Sequence, residues 1–536
     1  MKLRTQFIII MVVLFFIVGL SGCGGSDPNP TPTEGLSVTE EGVLETAVSN
    51  TPPPLPGPTA TEEPTLTGLD TPWNDRSIFR AGLITSEQDI LDELDGATVY
   101  HIDIQIADNF LQLGGTEEVH YTNQEAEPLA EIIFQLFPNS SGGKVVVSNI
   151  RVDRQSVEAT YDFEDTALRV PLPSPLQPSA SVDIQLDFVV DLPQEMGGNY
   201  GLFGYFNDVL VLDEFYPVIP VYDDEGWNVQ KPPPNADTSY FDMSFYIVRV
   251  VAPLGLTMAA SGIEVSRESE SDQQIVTFAA GPMRDFYLAA SENYVVVSET
   301  VGETTLNSYA LKGQEQEAAT ALQFAKNALN SFSARLGTYP YSEYDILSTP
   351  MRVLGIEYPG IVGITLAAYD PDGEVAGRPF PILLESVIAH ETAHQWFYNL
   401  IGNDQIDEPW LDEAHAQYAT WLYYIDAYGI ANSQGYRASW DGRWQQVERD
   451  KVPIGLPAVE YTGQEYSAIV YGRGPIFVDA LSDRMGAKTF EAFLHNYYEL
   501  YQWKIATTEA YQQLAEAHCG CDLSELFEEW VYPVDE

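Results

Sequence analysis

An α+β fold, with an antiparallel β domain ahead of a mainly helical one, is what this sequence predicts. The first observation is a period of two. Tyr100, Ile102, Ile104 and Ile106 alternate with polar residues, as do Val182, Ile184, Leu186, Phe188 and Val190 with Asp183, Gln185 and Asp187, which marks strands buried on one face. The second is a change of period: Leu322, Ala325, Leu329, Phe332 and Leu336 recur at spacings of three and four, the stripe of an amphipathic helix. The third is size, because 536 residues, 45% of them hydrophobic, suffice for two or three domains. Charge then narrows the function. Lys and Arg number 25 against 79 Asp and Glu, a formal net charge of −54, so a protein that tracks phosphates by releasing counterions is excluded, and nucleic acid with it. The same imbalance disfavours a polybasic membrane-surface binder. Three cysteines cannot staple a chain of this length, so its core must rest on burial.

In chain order, Lys2 and Arg4 precede an unbroken apolar run from Phe7 to Val18. It is too short to span a bilayer of about 30 Å and reads as an export signal. The run ends at Leu20-Ser21-Gly22-Cys23, which resembles the bacterial lipobox. That resemblance implies a signal peptide over residues 1–22, lipid attached at Cys23, and a protein held outside the cytoplasm by a lipid anchor in the bacterial cell membrane or outer membrane. Residues 23–73 are rich in Thr, Pro, Gly and Glu and include Pro52-Pro53-Pro54; they cannot bury enough surface to offset ordering entropy and are expected as a tether. Residues 74–297 form the expected β domain, its strands parted by turn-forming clusters such as Gly114-Gly115 and Ser140-Ser141-Gly142-Gly143. Residues 298–536 form the helical domain. Gly337 is placed to end the helix of residues 322–336, and a second stripe runs from Pro475 through Ile476, Phe477, Ala480, Leu481 and Met485 to Gly486. The sequence shows no internal repeat.

The most specific signal is His390-Glu391-Thr392-Ala393-His394. Residues four apart share a helix face, so His390 and His394 can offer two imidazoles to one ion. Glu391 sits one step around the helix, where its carboxylate can reach a water on the metal without displacing it, as a general base must. Ile388, Ala389, Trp396 and Phe397 make the surroundings apolar. A catalytic zinc site needs a third protein ligand and one open position. Glu413 supplies the ligand, after Pro409-Trp410-Leu411-Asp412 and with eighteen residues between it and His394.

These residues resemble the M1 family of zinc aminopeptidases, gluzincins with an HExxH sequence, an eighteen-residue gap and a Glu. The likeness runs from about residue 90 onward: Tyr121-Thr122-Asn123 and Phe137-Pro138-Asn139 look like segments of that family's N-terminal domain, and Trp410-Leu411-Asp412-Glu413 matches its pattern. It implies an aminopeptidase N-like β domain, a thermolysin-like catalytic domain, one Zn2+ per chain and peptide substrates, in a form lacking the C-terminal helical domain of many relatives. Gly355-Ile356-Glu357-Tyr358-Pro359 stands where the family has its exopeptidase sequence, Gly-Ala-Met-Glu-Asn, so Glu357 is the residue implied to grip the substrate's α-amine. Tyr358 replaces the usual Asn and Ile356 the usual Met. Tyr471-Gly472-Arg473-Gly474 is similar to the Tyr-x-Lys-Gly segment, which gives Tyr471, fifty-eight residues after Glu413, the role of oxyanion donor. Tyr466 matches a second active-site tyrosine of some members, and Glu214 lies near where the β domain sends a polar residue towards the substrate amine.

The expected reaction is hydrolysis of N-terminal residues from peptides. Two other readings stand beside it: a zinc endopeptidase, since the sequence around Glu357 is altered, and a catalytically silent peptide-binding lipoprotein. His415 reads as packing or support for the ligands, since a fourth ligand would close the site. Cys519 and Cys521, beside His518, read as a loop between helices rather than a metal clip, with their pairing left open.

Overall fold

The computed structural model describes residues 68–197, 200–229, 239–375 and 378–533. Cys23, the signal segment and most of the tether lie outside them. The first half is built on an eight-stranded sheet in the order Ile263–Glu270, Gln273–Met283, Ser244–Pro253, Val99–Ile106, Gln112–Thr122, Ser181–Asp191, Lys144–Val152 and Gln155–Ser156. In Ser181–Asp191 the apolar residues at alternate positions are buried and the polar ones between them are not, so the period of two sets the face that meets the core. A three-stranded sheet, Leu129–Gln135, Ala167–Leu176 and Thr160–Asp162, adds Ile132, Phe134, Leu168 and Val170 to that core.

Two features differ from the sequence reading. Val99–Ile106 and Ser244–Pro253 pair in parallel while the other pairs of this sheet are antiparallel. Gly114 and Gly115, expected in a turn, lie inside the strand Gln112–Thr122. A Cβ on Gly115 would overlap the carbonyl of Asp103 on the neighbouring strand; the glycine serves close backbone approach, not a reversal. The cluster at residues 140–143 does turn, with Gly142 at φ +82°.

The second half combines a five-stranded sheet with helices. Its strands are ordered Tyr294–Val301, Thr304–Leu311, Glu343–Thr349, Ile361–Thr365 and Gly355–Tyr358. Residue 298, where the change of period falls, thus lies within a strand of this sheet. Helix α1, Glu315–Arg335, buries Leu322, Ala325, Leu329 and Phe332, with Leu336 at its C-cap. The Arg335 guanidinium makes two bonds of 2.6 and 2.7 Å to Asp426, which ties α1 to a later helix. Helix α2, Phe380–Ala393, packs against α1 and the sheet; α3, Trp410–Tyr428, packs against α2; α4, Ile430–Trp444, α5, Gly463–Ala468, and α6, Gly474–Met485, follow. Helices α7, Ala487–Tyr501, α8, Thr508–Cys519, and α9, Ser524–Trp530, complete the half. No helix among the described residues is long and apolar enough to cross a membrane.

Arg284 joins the halves. It is 1% exposed and donates to the carbonyls of Phe241, Tyr398, Asn399 and Lys504 at 2.7–3.1 Å. Its guanidinium lies where a Cβ on Gly402 would stand.

Candidate active site

Helix α2 is apolar on nearly every side, with Leu383, Leu384, Val387, Ile388, Ala389 and Ala393 all buried, so it runs through the core and ends there. Thr392 Oγ1 donates to the Ile388 carbonyl at 2.6 Å, which leaves it to accept from the Tyr344 hydroxyl at 2.8 Å. The sheet thereby fixes the helix one residue after Glu391. The helix gives way at His394, and Gln395 fastens its end to the sheet: the Gly360 N–H donates to Oε1 and Nε2 donates to the Tyr358 carbonyl, both at 2.9 Å. Helix α3 starts after Pro409 and places Asp412 and Glu413 in its first turn, where the N-terminal dipole favours anions.

The two helices bring three ligand atoms into a triangle. His390 Nε2 and His394 Nε2 lie 3.4 Å apart, and Glu413 Oε2 is 3.2 Å from the first and 3.5 Å from the second. Tetrahedral bonds of about 2.0–2.1 Å put neighbouring ligands about 3.3 Å apart, so these side chains suit zinc as they stand. Glu413 Oε2 is buried without a hydrogen-bond partner among the described residues. His394 Nδ1 lies 3.2 Å from the Phe397 carbonyl; donation there leaves the Nε2 lone pair facing the triangle. Burial pulls the His390 imidazole down, and it opposes protonation of His394 as well, but the carboxylates of Glu357 and Glu413 outweigh it and raise His394 well above its usual range. For Glu413 burial pushes upward, yet the two histidines hold it well below the carboxylate range. Glu357, His394 and Asp412 also converge, but Gln405 Nε2 already donates to Glu357 Oε1 at 3.0 Å and to Asp412 Oδ2 at 2.9 Å.

Glu391 is 5% exposed and lies over the backbone of Gly355, where any side chain would overlap its carboxylate. Burial, then the charge of Glu357, raises Glu391 well above the usual carboxylate range. Glu357 lies on the edge strand Gly355–Tyr358, with Oε1 3.8 Å from His394 Nδ1. Tyr471 lies in a π-helical turn, Ile469–Arg473, between α5 and α6, a feature common at functional sites. Its hydroxyl donates to Glu413 Oε1. Gly474 lets the turn approach Ala414 in α3, since a Cβ would come within 2.8 Å of the Ala414 Cβ. Tyr466 is buried in α5 with its ring 5.8 Å from that of Tyr471. Glu214, at φ +40°, accepts from Ser239 Oγ at 2.8 Å, and the Ser239 N–H reaches Gln405 Oε1 at 3.2 Å, so Glu214 connects to Glu357 through two residues.

Other expectations resolve differently. His415 Nε2 is 2.8 Å from the Tyr511 hydroxyl and its ring lies among Phe397, Trp410 and Tyr511, turned to packing; burial lowers it to about 3. Cys519 and Cys521 form a disulfide, and His518 Nε2 is 2.9 Å from Asn496 Oδ1, so these residues make no metal clip. The sequence reading named Gly355 in the stretch around Glu357 without giving it a role of its own, and it passed over Gln395, Gln405 and Arg443. The last lies with its guanidinium 5.5 Å from the Tyr471 ring centre. The role of Gly355 had a signal, since a glycine allows close backbone approach; the others depend on contacts distant in the chain.

The Peptidase family M1 domain model matches residues 320–530. Aminopeptidase M1-A of Oryza sativa subsp. japonica is 27% identical over 304 residues, 52% of this chain and 33% of that protein. The puromycin-sensitive aminopeptidase of Caenorhabditis elegans is 23% identical over 70% of this chain and 40% of its own length. The chain thus spans about a third of the length of the first curated relatives it matches. Among solved structures, an M1 zinc metallopeptidase from Deinococcus radiodurans superposes with a TM-score of 0.62 at 20% identity, over 81% of this chain and 93% of that one. The two-part fold of a sheet-rich half followed by a helical one is shared with it.

Proposed function

We propose that this chain, whose residues 320–530 match the Peptidase family M1 domain model, is a zinc aminopeptidase that removes N-terminal residues from peptides. One observation carries the reading: the buried Glu357 carboxylate stands 3.8 Å from the imidazole of His394, itself a corner of the ligand triangle. A free α-ammonium held at Glu357 would set the first peptide bond, and no later one, beside the ligand triangle. A mutant Deinococcus radiodurans neighbour, 19% identical with a TM-score of 0.58, has been captured with a Tyr-Ser-Ala substrate.

His390, His394 and Glu413 would hold one zinc ion per chain, which supplies Lewis acidity towards the scissile carbonyl and acidifies its water towards a pKa of about 7. Glu391 takes the proton from the attacking water and returns it to the departing amine, so the peptide bond and one water become a carboxylate and an ammonium. Tyr471 leaves Glu413 to donate its hydroxyl to the carbonyl oxygen as negative charge develops there, with Tyr466 packed beside it. Glu214 joins Glu357 in receiving the amine. For the location we keep the lipid anchor at Cys23 and a site outside the cytoplasm as part of the proposal; Cys23→Ala should release the protein from the membrane fraction with activity unchanged.

The decisive experiment compares an aminoacyl reporter amide with its N-acetylated form, before and after treatment with a strong chelator. The free amide should be cleaved, the blocked one poorly, and both rates should vanish with the metal. Equal cleavage of the two would transfer the site to an endopeptidase, and cleavage of neither by zinc-loaded protein would leave a binding protein.

A further inference from the structure

The two histidines of the triangle are supported differently. His394 Nδ1 lies 3.2 Å from the Phe397 carbonyl, an oxygen that only accepts, so in the neutral ring the proton stays on Nδ1. His390 Nδ1 faces a side-chain amide instead, with Gln417 Nε2 3.5 Å away. Gln417 is 5% exposed and stands four residues after Glu413 on α3, so the helix that supplies the carboxylate ligand presents the amide from its next turn. The other end of the amide is held from α4, where the Tyr436 hydroxyl donates to Gln417 Oε1 at 2.8 Å.

An amide has a donor end and an acceptor end, and the two set opposite tautomers on a neutral imidazole. Gln417 Nε2 toward the ring needs a lone pair at Nδ1. The His390 proton then sits on Nε2, pointing at His394 and Glu413, where that nitrogen is closed to an ion. Gln417 Oε1 toward the ring needs a proton at Nδ1 and leaves the Nε2 lone pair facing the triangle. A half-turn of the amide exchanges the two within one volume. Tyr436 serves both, because a hydroxyl donates to Oε1 or accepts from Nε2.

We propose that Gln417 is the positioning residue for His390: in the zinc-loaded protein it turns Oε1 to the His390 Nδ1–H and Nε2 to the Tyr436 oxygen, which fixes the tautomer and ring orientation that the ion requires. The proposal rests on the zinc reading of the triangle and not on the choice of substrate. The distance of 3.5 Å is at the long limit of a hydrogen bond. A ring that shares its Nε2 lone pair with a cation donates more strongly from Nδ1, so the turned contact is the better of the two. Both ends of a buried amide are then satisfied.

The test is zinc affinity, read on the full chain by competition with a chromophoric chelator, so that it needs no turnover. Gln417→Met keeps the length and removes the acceptor; zinc should be held about tenfold or more weakly, the scale on which such supporting contacts act. Gln417→Glu restores an acceptor at the same reach and should hold zinc at least as tightly as wild type. A residue that merely filled space would give the reverse order, since a thioether packs well there and a buried carboxylate does not. Unchanged affinity in Gln417→Met overturns the proposal, and so does a Gln417→Glu variant that loses zinc as readily as the Met variant. Should Gln417→Met fail to fold, Tyr436→Phe carries the test, because it deletes only the hydroxyl at the far end of the amide. Zinc should then be held several-fold more weakly, and an unchanged affinity overturns the proposal. Any of these failures, with zinc bound by wild type, leaves the aminopeptidase reading intact. A wild-type chain that binds no zinc strikes down the ligand triangle and this proposal with it.

Discussion

Glu391 is held by what is missing beneath it. Its carboxylate lies where a Cβ on Gly355 would stand, so the base and the edge strand share one volume, and the strand stays close only because residue 355 has no side chain. Glu391→Gln preserves shape and removes the base; zinc content should be unchanged while turnover falls by about 10²-fold or more. Gly355→Ala reaches the same group by a different route, pushing the carboxylate aside without altering its chemistry. Turnover should drop by about tenfold or more with zinc retained, as a small misplacement at a reacting centre would give. Full activity in Gly355→Ala, measured beside metal analysis, would show that the carboxylate has room to spare. The histidines were legible in the sequence because helical spacing alone puts residues four apart on one face, and Glu413 because a zinc site with two imidazoles needs a third ligand and a carboxylate opens the next helical stretch. Glu357 and Tyr471 emerged only by resemblance. Gln405 was not legible at all: its bond to Glu357, 48 residues earlier in the chain, is made by tertiary folding, and no local period marks such a meeting.

At the level of elements, the site depends on how firmly the end of α2 holds the edge strand. Gln395 uses both ends of its amide on the neighbouring hairpin, at Gly360 N–H and Tyr358 C=O, and it is fully buried. Gln395→Met keeps the length and removes both bonds, leaving a buried donor and a buried acceptor unpaired. The cost should be about 2–4 kcal/mol, seen as a lower urea midpoint at unchanged slope. Because the strand carries Glu357, KM for free-amine substrates should rise more than kcat falls. An unchanged midpoint would place the strand's support elsewhere. Elements with a long uninterrupted period, such as α1 and the strand Ser181–Asp191, were legible because the pattern and the buried face coincide. The strand containing Gly114 and Gly115 was not, since glycine signals a turn and a close backbone approach alike. The π turn at Tyr471 leaves no periodic trace either, because one extra residue within a helix shifts the face without changing composition.

Across the whole molecule, the site links Glu214 of the β-rich half, through Ser239 and Gln405, to Glu357 in the helical half, so its geometry depends on how the halves are fastened. Arg284 is one such fastening, 1% exposed. It comes from the first half and donates to the Tyr398, Asn399 and Lys504 carbonyls of the second, two of which lie within five residues of His394. Only a planar guanidinium can serve so many acceptors at once, and Gly402 leaves the space for it. Arg284→Met would strand several buried carbonyls and remove the positive charge near Asp242 and Asp285, a loss on the order of 3–5 kcal/mol. Gly402→Ala should destabilise by displacing the same guanidinium while leaving its donors present. If both changes act through one contact, the double variant should unfold little more readily than Arg284→Met alone, because the second change removes what the first has already removed. Urea unfolding of the four proteins measures this directly. Strict additivity would mean that Gly402 serves some other packing need, and that the two halves are held in register by the apolar core they share rather than by this arginine.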